Sequence, residues 1–339
     1  MESLSRPVRS VKIPLTVAIP DYLRDHRYDG RIVLPAAEAL QILARSLPDD
    51  LPRCDPRLQE GGEFAHLLPL DANADAFSAF HEIAFSPDGR RLSRLTMLRT
   101  GRQAQWTRSV EHVSVSFLPF GGKEEGTEEE PAKIRKIRDS SLFSKKKIGS
   151  CPHFPLREQG APKNPQCAFP GSDFQDAQRF RTEAAGMEGS FYTFSCRRLY
   201  TDLVPFGPAY HNVVGEVCLT PVGASAEVSG GDFQDAVGPL GSPFPFDAAM
   251  HVACAWGQRY RNLVAFPVGF DCREIVRLTR NGETYLCRVF PLPDEGAALR
   301  FDVRLYGEDR RPVEIILGLK MRDISGGRLK PPAWVRKGV

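Results

Sequence analysis

No stretch of this sequence reaches the roughly 18 consecutive apolar residues that a membrane-spanning helix needs. The short apolar run near its start, "VKIPLTVAIP", is broken by Pro14 and Pro20 and is followed by no small-residue cleavage site. Neither a membrane span nor a secretory leader is expected, and the cytoplasm is the expected compartment. Net charge is scarce as well: 45 basic side chains against 42 acidic leave +3 over 339 residues, too little for the chain as a whole to bind nucleic acid. Any charged partner must be recognised locally. Cysteine occurs eight times, yet no two cysteines lie two or three residues apart, which argues against zinc-ribbon and dithiol redox chemistry. Cys218 in "VVGEVCLT" and Cys287 in "YLCRVF" sit in apolar, strand-like text, where a reduced thiol acts as a small core residue. Cys151, His153 and Cys167 fit no standard ligand spacing, so no metal is expected.

What is present describes a folded globular chain: 42% hydrophobic and 26% charged residues, with length enough for one large domain or two ordinary ones. Residues 8 to 19, rich in valine and isoleucine, read as a strand. From Pro35, "PAAEALQILARSL" places Ala39, Leu40, Leu43 and Leu47 on one face, with Glu38, Gln41 and Arg45 elsewhere; this is a helix of about three turns. Residues 76 to 120 are short runs punctuated by Pro87-Asp88-Gly89 and Thr100-Gly101, the pattern of antiparallel hairpins.

Composition then changes. "GGKEEGTEEEP" is followed by seven basic residues against one acidic in 133 to 147, and then by proline-broken polar text. Residues 121 to 188, with a candidate helix at 176 to 186, are expected to link an N-terminal unit (1–120) to a C-terminal one (189–330); the basic run reads as solvated, with docking of an acidic partner as the other reading. The second unit has its own apolar helix, "DAAMHVACAWGQRY" from Asp247, followed by strand-like runs as far as "VEIILGLKM". One central helix and several antiparallel strands in each half make an α+β class, each sheet wrapped around its helix and the two sheets free to pair.

Few residues here carry chemistry. His26, Gly30 and Pro35 form H-x-x-x-G-x-x-x-x-P. Proline suits a first helical position and Gly30 suits a positive φ or a close approach, but neither needs a histidine, and alone His26 reads as an exposed turn residue. Asp247 reads as an N-cap with His251 one turn later on the same face. His81 and His112 lie in strand-like text and read as structural; Trp256, Arg259 and Tyr260 read as the end of a helix rather than the mouth of a tunnel.

Together these stretches resemble the dehydratase domains of polyketide synthases. "DHRYDGRIVLP" is similar to that family's histidine motif at every fixed position, and "FDAAMHVACAW" to its aspartate motif with His251 in the glutamine-or-histidine place. "FGPAYH" (206 to 211) is similar to Y-G-P-x-F-Q, departing at Phe206, Tyr210 and His211. "LVAFPVGFD" stands where the family has L-P-F-x-W, and "WTRSVEHVS", with Trp106 and His112, is similar to the end of the first hot dog.

The resemblance implies a double hot-dog fold whose site forms where the halves meet. It also implies removal of water from a 3-hydroxyacyl thioester carried on the phosphopantetheine arm of an acyl carrier protein, within a synthase assembly and with no cofactor of the protein's own; a homodimer stays open. His26 would be the base and Asp247 the acid, with Gly30, Pro35, Phe206, Gly207, Pro208, Tyr210 and His251 around the substrate. A histidine with a pKa of about 6.5 is largely neutral near pH 7. An aspartate near ~3.9 is ionised, so Asp247 needs burial to raise its pKa, with His251 neutral. Backbone N–H groups around Gly30 and the helix start would polarise the thioester carbonyl. Two other readings remain: an isomerase or cyclase of the same fold using the same pair, and a non-catalytic acyl-binding module.

Overall fold

The computed structural model describes residues 10–48, 54–86, 89–100, 107–119, 192–293 and 298–336. The linker expected at 121–188 lies outside the described residues, with its candidate helix and basic run; so do Trp106, Cys151, His153 and Cys167.

Strand β1 (Ser10–Ala18) pairs only with β5 (Ala76–Phe85) and forms one edge of the sheet, which is why Pro14, with no N–H to donate, is tolerated at its centre. Two short strands follow, β2 (Arg27–Tyr28) and β3 (Arg31–Ile32), joined by Asp29 and Gly30. Both turn residues have positive φ, 51° and 73°, the requirement of a tight two-residue hairpin that an Asp-Gly pair meets.

Helix α1 (Ala36–Arg45) starts one residue later than the sequence suggests. Pro35 is its extended N-cap (φ −62°, ψ 147°), and the Pro35 carbonyl accepts the N–H of Ala39. A larger difference is that Glu38 and Gln41 are buried. Periodicity places them off the apolar face, but α1 is packed between the strands Arg91–Thr100 and Thr107–Pro119 on one side and the second long helix on the other, so no solvent face remains there. That helix, α2 (Phe244–Arg261), begins three residues before Asp247, with Pro243 as N-cap. Pro245 lies in its first turn, where a missing N–H costs nothing. Asp247 is therefore a helical residue and not an N-cap; its own N–H already bonds the Pro243 carbonyl at 3.1 Å. Asn262, in the left-handed region at φ 52°, ends the helix.

The remaining strands are β4 (Cys54–Glu63), β6 (Arg91–Thr100), β7 (Thr107–Pro119), β8 (Tyr192–Ser195), β9 (Val213–Thr220), β10 (Gly223–Ser229), β11 (Phe266–Ile275), β12 (Thr284–Pro291), β13 (Leu299–Tyr306) and β14 (Pro312–Arg322). They form one antiparallel sheet of twelve strands among the described residues, in the order β1-β5-β6-β7-β4-β11-β14-β13-β12-β10-β9-β8. The first five belong to the N-terminal half and the last seven to the C-terminal half. The two sheets join where β4 pairs with β11, from Leu58 opposite Glu274 to Glu63 opposite Gly269. Helix α2 is buried from Phe244 to Gln258 against β9, β10, β12 and β13. No helix among the described residues is long and apolar enough to cross a membrane.

Residues read as structural have structural partners. His81 is fully buried, its Nδ1 2.8 Å from the Ser46 hydroxyl, and burial pushes its pKa down to about 4. His112 Nδ1 lies 3.1 Å from the His66 carbonyl. Trp256 donates to the Thr220 carbonyl at 2.9 Å, while Arg259 covers the Tyr192 ring and donates to the Val335 carbonyl, closing the end of α2.

Gln41 ties the halves together. Its Nε2 donates to the Gly241 carbonyl at 2.6 Å and its Oε1 accepts the Leu240 N–H at 3.2 Å, all buried. Gln41→Leu leaves the Leu240 N–H unpaired in the interior and the Gly241 carbonyl with the Gly238 N–H alone, and is expected to cost about 1–3 kcal/mol. Urea unfolding measures this; a loss below about 1 kcal/mol, the range of an exposed pair such as Lys12–Glu82, would show that the bridge is not holding the halves together.

Candidate active site

His26 follows a single 3-10 turn, Asp21–Asp25. The Asp29-Gly30 turn folds the chain back so that Val33 returns to His26: the Val33 N–H bonds the His26 carbonyl at 2.9 Å, and His26 Nδ1 lies 2.7 Å from the Val33 carbonyl. A carbonyl can only accept, so Nδ1 carries the proton and Nε2 is left with a free lone pair. The spacing of His26 and Gly30 is thus the geometry of a hairpin that fixes an imidazole tautomer. Part of the residue reaches solvent, but the ring packs against Phe206 at 4.3 Å and Tyr210 at 5.0 Å between centroids. Burial lowers the His26 pKa below the ordinary histidine value; the charge of Asp247 and the Val33 contact oppose this without reversing it.

The loop from Phe206 to Tyr210 is held onto this turn by Asp25. Its carbonyl accepts the Gly207 N–H at 2.8 Å and its Oδ2 accepts the Ala209 N–H at 2.9 Å. A Cβ on Gly207 would stand 2.5 Å from Asp25 Cγ, so only glycine fits. Pro208 opens the short 3-10 turn Pro208–Tyr210 and is exposed. His211 is exposed too; its Nε2 donates to the Phe206 carbonyl at 2.8 Å and its ring stacks on Tyr200 at 4.2 Å, so it braces the loop.

Asp247 and His251 come from α2, 3% and 5% exposed, with His251 Nε2 3.0 Å from Asp247 Oδ2. The approach lacks the alignment of a hydrogen bond, and Oδ2 has no other partner. Tyr200 lies behind: its hydroxyl accepts the Val213 N–H at 2.7 Å and stands 3.4 Å from His251 Nδ1. Phe206 connects the two sides, its ring 4.3 Å from that of His26 and 5.1 Å from that of His251.

The expected rise in the Asp247 pKa is not what the structure supports. Burial is the largest single influence and pushes it up, but His251, by charge and contact, and His26, by charge, together outweigh burial and hold it below the usual carboxylate value. Its place in the first turn of α2 acts in the same sense.

Among the remaining expected positions, Pro35 is buried at the start of α1, whereas Gly30 stands at the exposed tip of the β2–β3 hairpin with open space around it. Its positive φ serves the turn, so the carbonyl-binding role expected there needs other donors. Val33 and Leu34 do not supply them: their N–H groups are bound to the His26 and Leu68 carbonyls. The N–H groups of Ala36, Ala37 and Glu38, at the start of α1, have no partner within the helix. Asp25 and Tyr200 were not singled out by the sequence; the only hint of Asp25 is that it adjoins His26.

A surface groove of about 640 Å³ runs along this region, lined by Tyr22, Asp25, Pro208, Ala209, Asn212 and Phe233 among others. Neither His26 nor Asp247 lines it; Pro208 and Ala209, between the two rings that pack on His26, form part of its wall. Another hollow, about 320 Å³ between Arg277, Glu283 and Asp309, touches none of these residues. No group of three or more His, Cys, Asp or Glu suited to holding a metal occurs among the described residues.

A sheet wrapped on one helix in each half, with the two sheets continuous through β4 and β11, is the double hot-dog fold. Solved structures that superpose on it include dehydratase domains of polyketide synthases. One, from a mycocerosic acid synthase-like synthase, superposes with a TM-score of 0.59 at 13% identity over 93% of this chain and 95% of its own. The dehydratase domain of the CurF module of curacin synthase gives 0.58 at 9% identity over 95% of each chain. A trans-AT dehydratase domain from Brevibacillus brevis gives 0.57 at 12% over 94% of each. No family model matches the sequence, and no curated protein matches it.

The hairpin contact predicts a single tautomer. Long-range ¹⁵N–¹H spectra of the histidine-labelled protein at neutral pH are expected to show His26 protonated at Nδ1 and titrating below about 6.5; a proton on Nε2 would be incompatible with the Val33 contact.

Proposed function

We propose that this protein is a dehydratase that removes water from a 3-hydroxyacyl thioester, delivered on the phosphopantetheine of an acyl carrier protein in polyketide or related synthesis. The observation that carries the reading is the convergence of His26, with a fixed tautomer and free Nε2, and the buried Asp247–His251 pair, both imidazoles lying against the one Phe206 ring and the charges of Asp247 and His251 acting on His26.

The substrate would displace Phe206 and place its α-carbon at His26 Nε2 and its 3-hydroxyl at Asp247 Oδ2. His26 takes the α-proton, and the Cα electron pair moves into the Cα–Cβ bond as the Cβ–O bond breaks. The leaving oxygen takes a proton from the Asp247–His251 pair and departs as water. Because Asp247 is held toward its ionised form, the proton belongs to the pair and not to the carboxyl alone: it reaches Oδ2 from His251 Nε2 as the hydroxyl arrives. The proton now on His26 returns through solvent to the pair, and the cycle closes. The free N–H groups of α1's first turn, with the helix dipole behind them, would stabilise the charge that develops on the thioester oxygen.

His26→Ala and Asp247→Asn are each expected to lower turnover of a 3-hydroxyacyl carrier thioester by about 10²–10⁴-fold, followed by mass spectrometry as loss of 18 Da, the mass of about one water. Persistent water loss in either variant would remove that residue from the reaction, and double-bond migration in the enoyl thioester without water loss would make the protein an isomerase. The pH dependence has a sign. Lowering pH protonates Nε2 and removes the base, and since the His26 pKa is depressed, the acid limb of kcat/KM should fall below the ordinary value of about 6.5. A limb above that value would assign it to another group.

A further inference from the structure

Three buried polar atoms that act on one another electrostatically have no hydrogen-bond partner: Asp247 Oδ2, Glu38 Oε1 and the Tyr210 hydroxyl. Interiors pair such groups almost always, and exceptions require a cause. The dehydration chemistry gives Asp247 Oδ2 the hydroxyl that leaves. It uses neither of the others, although Glu38 is 4% and Tyr210 1% exposed.

The two are neighbours of the reacting pair. Tyr210 packs edge-on against His26, and the charges of Glu38 and Asp247 both act on it. Glu38, in the first turn of α1, hydrogen-bonds Tyr22 and is acted on by Asp247 in turn. Arg45 lies near enough to influence Glu38, but its guanidinium is engaged with the carbonyls of Asp235, Ala236 and Val237. Burial, only partly offset by Tyr22 and Arg45, raises the Glu38 pKa to about 7. At neutral pH it can therefore present either a carboxyl O–H or a carboxylate oxygen, while Tyr210, its pKa raised by burial, keeps its proton. Phe244, 5.6 Å from Tyr210 and 5.7 Å from Tyr22, closes the apolar side.

We propose that Glu38 and Tyr210 form a polar subsite for a second oxygen function of the acyl chain, a hydroxyl or keto group beyond the hydroxyl that is eliminated. A hydroxyl could donate to one and accept from the other; a keto oxygen could accept from both. This rests on the dehydratase reading and narrows its substrate class to oxygenated 3-hydroxyacyl chains.

The test uses the full chain with two N-acetylcysteamine thioesters, 3-hydroxyhexanoyl and 3,5-dihydroxyhexanoyl, and reads the ratio of their kcat/KM values for water loss. The wild type should favour the dihydroxy substrate by about tenfold or more, and Glu38→Leu and Tyr210→Phe should each abolish most of that preference. Glu38→Gln, whose neutral amide still donates and accepts, should retain it. A wild-type ratio near one, or a preference untouched by both variants, overturns the proposal. Binding of hexanoyl and 5-hydroxyhexanoyl pantetheine, which have no hydroxyl to eliminate, is measured calorimetrically in parallel. A preference for the 5-hydroxy compound that disappears in Glu38→Leu supports the subsite even if no water is lost from any substrate, the result that would sink the dehydratase reading alone. Equal binding of the two compounds overturns the subsite whatever the turnover.

Discussion

A site assembled from opposite ends of a chain is only as defined as the contact between its halves. Here, beside the β4–β11 pairing and the shared apolar core, that contact includes hydrogen bonds from side chains and loops of the first half to backbone groups of the second. Gln41 uses both ends of its amide on Leu240 and Gly241, and Asp25 uses its carbonyl and its carboxylate on Gly207 and Ala209. Tyr28 adds an edge-on contact with Phe266 at the start of β11. Hydrogen bonds of this kind have direction, which the apolar core around α1 and α2 lacks, so they fix register where hydrophobic burial would allow sliding. They act on the elements that matter: Asp25 adjoins His26, and Leu240 and Gly241 immediately precede α2.

Asp247 shows how burial and pairing compete. Desolvation alone would leave a neutral carboxylic acid, a ready donor but one with little attraction for the base across the site. The nearby imidazoles reverse that, and the result is a carboxylate whose proton is held by a partner 3.0 Å away. Tyr200 fits this arrangement. Its oxygen accepts from Val213 and keeps a second lone pair for a proton on His251 Nδ1, so that Nε2 can pass its own proton to Asp247 and leave a neutral imidazole behind. His26 is oriented by a backbone carbonyl and His251 by a hydroxyl, and the two imidazoles therefore present opposite faces to a substrate, one accepting and one donating.

Much of this was legible from residue order, and the misses have common causes. The Asp-Gly turn and the apolar seam of α1 follow from local rules, and the partition into two sheet-and-helix halves from their repetition. Glu38 and Gln41 fall off the apolar face because periodicity detects one packing surface, and α1 has two. Asp247 reads as a cap because aspartate favours that place and stands directly before an apolar run, whereas the helix already begins at Phe244, with Pro245 in a first turn where its missing N–H had no partner. Gly30 was credited with a part in the site because it lies four residues from His26, but the hairpin carries it away to an exposed tip. Asp25 and Tyr200 act on backbone groups distant in sequence, and no local pattern announces such a partner.

The departures in "FGPAYH" change meaning once the rings are in place. Against the pattern Y-G-P-x-F, this chain exchanges the two aromatic types: Phe206 stands where a hydroxyl is usual and Tyr210 where none is. Read alone, the first change removes a hydrogen-bonding group from the site. In the structure both rings lie against His26, so the hydroxyl has moved from one neighbour of the imidazole to another. Phe206 is left with no polar atom to satisfy where it meets His26 and His251. The hydroxyl of Tyr210, fully buried, feels the charge of the Glu38 carboxyl most strongly, ahead of those of Asp247, Tyr22 and Asp25. If the proposed reaction holds, the exchange at 206 and 210 and the buried acid at 38 would be one adjustment, which keeps His26 and Asp247 in place and changes what the rest of an acyl chain would meet.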